Sequence, residues 1–224
     1  MVASKPLAVL CINGLVNDAV LSRVPGDADA VLVAVDGGLD HALALADTHG
    51  MPDYLVGDLD SVDAARVSSV AANGHTRIVR HPAEKNETDL ELALLMVEAA
   101  GIDHVVIVGL SGGRLDHVLG NVLLLAARDW RFTIDFLSVD GDGHLLTPER
   151  PWQASLPDQT VASLLPLSPE VSGVTTTGFY YPLQQATLKL GTPRGMSNVV
   201  NAAQSTVSLK SGKLLLVVPP QAAD

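Results

Sequence analysis

Tyr54-Leu55-Val56-Gly57-Asp58-Leu59-Asp60-Ser61 is the stretch from which the rest of the chain reads. Three apolar residues without polar alternation describe a buried strand, glycine frees the backbone where it ends, and Ser61 can cap a following helix. If the backbone stays extended, Asp58 and Asp60 point to one side, and carboxylates that close repel or raise a pKa. A hard divalent cation resolves that conflict, because Mg2+ takes carboxylate oxygens together with substrate phosphates. Taken alone, the stretch is better read as a surface turn, since Gly-Asp pairs favour turns. Its neighbours decide the matter.

Upstream, residues 7–12 form an apolar run that reads as a strand, and Val31–Val35 a second one ending in Asp36-Gly37-Gly38. Leu39 to His49 has helical spacing, with Gly50 as its stop. Downstream, a helix is expected over 63–72 and a strand over 76–79. Thr88 and Glu91 make a capping box, and Leu90, Ala93, Leu94 and Val97 form the apolar stripe of the helix it opens. Val105–Val108 then leads into Gly112-Gly113-Arg114-Leu115-Asp116-His117 and a further apolar helix to about Ala127. This alternation predicts an α/β domain with a mostly parallel sheet and flanking helices.

Beyond Phe132–Val139 the texture changes. Gly141-Asp142-Gly143 and Pro148–Pro151 read as turns, and short β-type runs follow at 161–165, 171–177, 186–190, 207–209 and 214–218. The expectation is an all-β sandwich after a boundary near residue 145, giving domains 1–145 and 146–224.

The chain has 224 residues, 47% hydrophobic against 17% charged, which supplies ample core. A formal net charge of −11 argues against a nucleic-acid binder, which needs a basic footprint. Cys11 is the single cysteine, so neither a disulfide framework nor a cysteine zinc cluster is available. Pro6, Asn13 and Gly14 interrupt the N-terminal apolar run, and no run approaches the ~18 apolar residues of a membrane span. A soluble cytoplasmic protein is expected.

Four polar motifs stand where strands end and helices begin: Asp36-Gly37-Gly38, Gly57-Asp58-Leu59-Asp60, Lys85–Asp89, and Gly112-Gly113-Arg114-Leu115-Asp116. Ligands of open α/β sheets bind beyond the carboxyl ends of the strands. Each motif supplies something a phosphate site needs. The glycines expose backbone N–H groups, and helix N-termini favour anions. Asp58, Asp60 and Asp89 can hold Mg2+, and Arg114 can take a phosphate oxygen or pair with Asp116. Neither G-x-x-x-x-G-K-[ST] nor G-x-G-x-x-G occurs, which disfavours a P-loop NTPase or a Rossmann dehydrogenase.

In order, Asp36-Gly37-Gly38, Gly57–Ser61, Thr88–Leu94 and Gly112–His117 resemble the blocks of the thiamine pyrophosphokinase family. The resemblance continues through Gly173–Thr175, Gly178–Leu183, Leu190–Thr192 and Ser197-Asn198. It implies an ATP-binding α/β domain, a thiamine-binding β-sandwich, and a homodimer with thiamine near the subunit interface. The implied reaction moves the terminal diphosphate of ATP to the hydroxyethyl oxygen of thiamine. By the same resemblance Asp58, Asp60 and Asp89 fall on Mg2+ and phosphate-binding acids and Asp116 on a further active-site acid. Asp36, Gly37, Gly38, Lys85, Thr88, Gly112, Gly113 and Arg114 fall on the nucleotide side, with Tyr181, Ser197 and Asn198 on the thiamine side. Asn86 stands where the family usually has aspartate, and Tyr181 where several members have tryptophan. Alternative readings are a diphosphokinase for another alcohol, such as a hydroxymethylpterin, and a non-catalytic nucleotide or thiamine sensor.

Overall fold

Leu7–Cys11 (β1) carries five residues in succession that are all buried. A strand with no polar face needs cover on both sides, which the interior of a parallel sheet provides. The computed structural model describes residues 6–27 and 29–220. The described chain divides into two compact units, one built from the residues up to Leu124 with Trp130–Val139, the other from Leu125–Asp129 and residues 140–220.

In the first unit β1 is followed by α1 (Asp18–Leu21), β2 (Val31–Val35), a 3-10 turn at Asp36–Gly38, α2 (Leu39–Ala44) and α3 (Ala46–His49). Then come β3 (Tyr54–Gly57), α4 (Ala64–Ala72), β4 (Arg77–Arg80), α5 (Asp89–Ala99), β5 (His104–Val108), α6 (Leu115–Ala127) and β6 (Thr133–Leu137). The strands run β6-β5-β1-β2-β3-β4, and every one of these pairings is parallel. Chain order therefore reverses beside β1, between β2 on one side and β5 on the other. Alternate residues Val9, Cys11, Leu32 and Ala34 join Leu39, Ala42, Val67 and Val70 in one core cluster. The intervening Ala8, Leu10 and Val33 are fully buried too, and α5 packs on β2 and β3 with Leu90, Ala93, Leu94 and Val97 buried.

The second unit holds β7 (Asp142–Leu146), β8 (Trp152–Ala154), β9 (Val161–Pro166), β10 (Glu170–Thr177), β11 (Ala186–Lys189), β12 (Asn198–Val199), β13 (Ser205–Ser208) and β14 (Leu214–Val218). One layer runs β12-β9-β14-β7 and the other β11-β10-β13-β8, with antiparallel pairing throughout. Both layers feed one core, with Ala162, Leu164, Leu214 and Leu216 from the first and Val171, Val174, Leu188 and Val207 from the second. Alternation along β9, β11 and β13 places every second residue inward. The last turn of α6 belongs to this unit, where the Lys213 ammonium donates to the carbonyls of Ala126 and Arg128 at 2.9 and 2.6 Å and caps the helix end.

Three details differ from expectation. The helix over 39–49 is broken at Leu45 into α2 and α3. Gly141-Asp142-Gly143, read as a turn, instead opens the strand Asp142–Leu146, because the apolar β14 needs a partner and takes β7 in register from Leu146 to Asp142. The division expected at residue 145 thus falls inside β7.

Candidate active site

At the carboxyl edge of the parallel sheet, β2 ends at Val35 and Asp36 turns the chain with φ 45°. Gly38 is needed there for packing: a Cβ would sit 1.9 Å from the Cys11 carbonyl oxygen. A Cβ on Gly37 would meet the Asn13 amide at 2.5 Å. Both glycines are therefore accounted for by the end of β1. Next door, Gly57 has φ 147°, and a Cβ on it would lie 3.1 Å from Asp36 Cβ. That close approach of two strand ends puts Asp58 beside Asp36.

The chain does not stay extended after Gly57. Leu59 adopts φ 63° and is buried, while the Asp60 N–H donates to Asp58 Oδ1 at 3.1 Å. Left-handed backbone at a leucine costs energy that the surrounding packing must supply, and such outliers gather at functional sites. Asp60 is consequently turned outward, and the carboxylates that converge are Asp36, Asp58 and Asp89. One oxygen from each lies within 4.8 Å of the others. Asp89 is brought in as the first residue of α5, whose N-cap Thr88 accepts from the Glu91 N–H at 3.2 Å.

The electrostatics of this cluster are unbalanced. Asp36 Oδ1 and Asp89 Oδ1 are buried atoms without a hydrogen bond, although Ser61 Oγ donates to Asp36 Oδ2 at 2.6 Å. Lys85 Nζ stands 3.0 Å from Asp89 Oδ1, an ion-pair distance outside hydrogen-bond geometry, and 3.9 Å from Asp58 Oδ2. The Asp60 carboxyl is pushed above the usual range, first by the charge of Asp58, then by desolvation and by Asp36. Three converging carboxylates, with the buried Asp36 Oδ1 lacking a hydrogen bond, make a set of hard oxygen ligands that fits a divalent cation.

The loop after β5 is locked to the loop after β1. The Leu15 N–H donates to the Ser111 carbonyl at 2.7 Å, and a Cβ on Gly14 would lie 1.9 Å from the Gly109 carbonyl oxygen. Gly112 and Gly113 both have positive φ, and Gly113 faces open space. Arg114 forks onto Asp116, with Nε to Oδ1 at 3.1 Å and Nη2 to Oδ2 at 2.6 Å, both side chains being exposed. That hydrogen-bonded pairing holds the Asp116 carboxyl below its ordinary range, making it a weaker proton acceptor. Asn13 and Gly14 belong to this framework and were not singled out from the sequence. Their signal is an Asn-Gly placed, like the other motifs, directly after a buried strand.

In the second unit Tyr180 and Tyr181 form an exposed edge-to-face pair with centroids 4.8 Å apart. Asn198, 5% exposed, accepts from the N–H groups of Tyr181 and Val199 and donates to the Tyr181 carbonyl at 2.8 Å. Its amide thus holds the tyrosine turn. Ser197, with φ 54°, is tied through its N–H to Ser163 Oγ at 3.0 Å.

Comparison with known proteins identifies the family and the fold. The thiamin pyrophosphokinase catalytic-domain family matches residues 26–134, and the vitamin B1 binding domain of the same enzyme matches residues 153–214. Thiamine pyrophosphokinase of Bacillus subtilis is 30% identical over 196 residues, covering 85% of this chain and 88% of the relative. Thiamine pyrophosphokinase 1 of Arabidopsis thaliana is 28% identical over 187 residues, covering 78% and 68%. The crystal structure of the Bacillus subtilis protein aligns with TM-score 0.78 at 25% identity over 97% of this chain and 100% of that one. The Candida albicans enzyme, at 17% identity and TM-score 0.71, shares the fold over 96% of this chain and 90% of its own. The chain belongs to the thiamine pyrophosphokinase family, enzymes that convert thiamine and ATP to thiamine diphosphate and AMP.

Proposed function

We propose that this protein transfers the terminal diphosphate of ATP to the hydroxyethyl oxygen of thiamine, with Asp36, Asp58 and Asp89 as the Mg2+ site. The observation that carries the site assignment is the convergence of those three carboxylates around a buried Asp36 Oδ1 that has no hydrogen bond. Bound there, Mg2+ neutralises the triphosphate and orients it for in-line displacement at the β-phosphorus.

The chain's own residues do the rest. Thr88 caps α5 and fixes Asp89 on its first turn. Gly113, in open space at a left-handed position, leaves room for an anion against the loop backbone. Arg114 is the phosphate partner once it leaves Asp116, and the freed Asp116 carboxylate then accepts the proton of the attacking hydroxyl. The new P–O bond forms as the bond to AMP breaks, and AMP departs. Asp60, outside the converging triplet, balances charge beside it. Tyr181, with Tyr180, offers a flat face to the cationic thiamine ring, and Asn198 with Ser197 holds that face in place.

We further propose a homodimer. Leu115, Leu119 and Leu123 lie along one side of α6 and are 71%, 54% and 60% exposed, an apolar strip suited to a second copy. A cytoplasmic location matches the need for ATP. Among the described residues no helix is long and apolar enough to cross a membrane.

The test is incubation with ATP, Mg2+ and thiamine, with AMP and thiamine diphosphate quantified. Equal yields, both lost on adding EDTA, are expected. AMP without thiamine diphosphate would overturn the acceptor, and equal yields surviving EDTA would overturn the metal.

A further inference from the structure

Lys85 is out of place for a surface lysine. It lies on the segment between β4 and α5, yet its side chain is 12% exposed and its ammonium is sunk among carboxylates. It reaches Asp89 Oδ1 at 3.0 Å and Asp58 Oδ2 at 3.9 Å, and donates to the Pro82 carbonyl at 3.1 Å. Two of the three carboxylates that converge are therefore already shared with a cation that the chain itself supplies. An ordinary i, i+4 ion pair lies along one helix and stays wet. This one bridges the end of β3 and the start of α5 through a nearly buried ammonium.

We infer that Lys85 is a placeholder cation, which must leave the carboxylates before a divalent metal can bind and which thereby couples metal binding to nucleotide binding. The inference rests on the metal assignment made above. A divalent cation held by Asp58 and Asp89 would sit about 2.0–2.1 Å from their oxygens. An ammonium 3.0 Å from one of those oxygens would then be within a few ångströms of the metal, and like charges that close repel strongly. Metal entering alone displaces a largely sequestered ammonium from both of its carboxylate partners. Metal entering with ATP brings a polyphosphate, so Lys85 exchanges carboxylate for phosphate and no charge is left unpaired. Lys85 therefore discriminates against free metal and in favour of the metal–nucleotide complex.

The experiment is Mn2+ binding followed by the EPR signal of free Mn2+, with and without a non-hydrolysable ATP analogue. It is run on the full chain and on Lys85→Met, Lys85→Gln, Lys85→Arg and Asp89→Asn. The unsubstituted protein should bind Mn2+ at least about tenfold more tightly with the analogue than without it. Lys85→Met and Lys85→Gln should tighten nucleotide-free Mn2+ binding by a similar factor and shrink the coupling, whereas Lys85→Arg should behave like the unsubstituted protein. Circular dichroism identifies a variant that fails to fold, and the coupling in the unsubstituted protein stands as a test without any variant. Unchanged or weaker nucleotide-free Mn2+ binding in both neutral variants overturns the placeholder role, while Asp89→Asn still abolishing Mn2+ binding with the analogue preserves the metal site. Mn2+ binding that is unaffected by Asp89→Asn overturns the metal assignment and the placeholder role with it.

Discussion

The acidic edge of the first unit and the tyrosine turn of the second treat their polar atoms in opposite ways. At the edge, Asp36 Oδ1 and Asp89 Oδ1 are buried without hydrogen bonds, and Leu59 and Asp36 hold left-handed backbone. At the turn, the Asn198 amide satisfies three backbone groups and leaves the Tyr180–Tyr181 pair outward. Unsatisfied buried groups cost folding free energy and persist where something else completes them. A satisfied amide needs nothing further and instead stiffens what it holds. The edge is thus arranged for a ligand that replaces missing partners, the turn for presenting a ready surface.

The sharpest way to break this contrast is to neutralise the edge. Asp58→Asn or Asp89→Asn should lower turnover roughly 100- to 1,000-fold while circular dichroism stays unchanged. Full activity in both would remove the edge from the chemistry. At the turn the expected outcome is of another kind. Asn198→Ala leaves the N–H of Tyr181 without its acceptor and should cost about 1–3 kcal/mol in urea unfolding. It should also raise KM for thiamine more than KM for ATP; equal increases would mean that the turn does not present the acceptor surface.

The smallest effect separates Asp60 from its neighbours. Its carboxyl sits above the ordinary value of 3.8 because Asp58 and Asp36 repel its charge. A raised carboxyl pKa opposes folding once the group is ionised, so the strain is present at neutral pH and disappears as pH falls below that value. Asp60→Asn should therefore give a small rise in melting temperature at neutral pH without metal, shrinking toward zero in acid. A fall in melting temperature at neutral pH would show that Asp60 stabilises the cluster.

Much of the fold was legible because it rests on local signals. Buried strands at Leu7–Cys11 and Val31–Val35 are uninterrupted apolar runs, and Thr88 with Glu91 starts α5 where the capping box says it should. β7 was hidden because Gly141-Asp142-Gly143 looks like a turn, and only the long-range demand of β14 draws Asp142–Leu146 into a strand. The same division holds at the site. Asp58 and Asp89 stand out as carboxylates after a strand and at a helix start. The departure of Asp60 from them depends on the left-handed Leu59, whose burial no short stretch of sequence reveals. Asn198 was legible as a motif residue, but its clamp joins positions 17 apart in the chain.

The lone thiol on β1 offers a clock. Cys11 is fully buried, and desolvation pushes it from 9.0 up to about 12, so the folded protein carries almost no reactive thiolate. An alkylating reagent at neutral pH can reach it only when β1 opens, and with a single cysteine in the chain every labelled molecule records that one event. Labelling should slow when ATP and metal bind above the strand and accelerate with urea. Above pH 9.0 the unfolded thiol ionises while the folded one does not, which favours opening by up to about 1.4 kcal/mol per pH unit. The sulfur beneath the site thus times, without any added probe, how often the sheet that carries it comes apart.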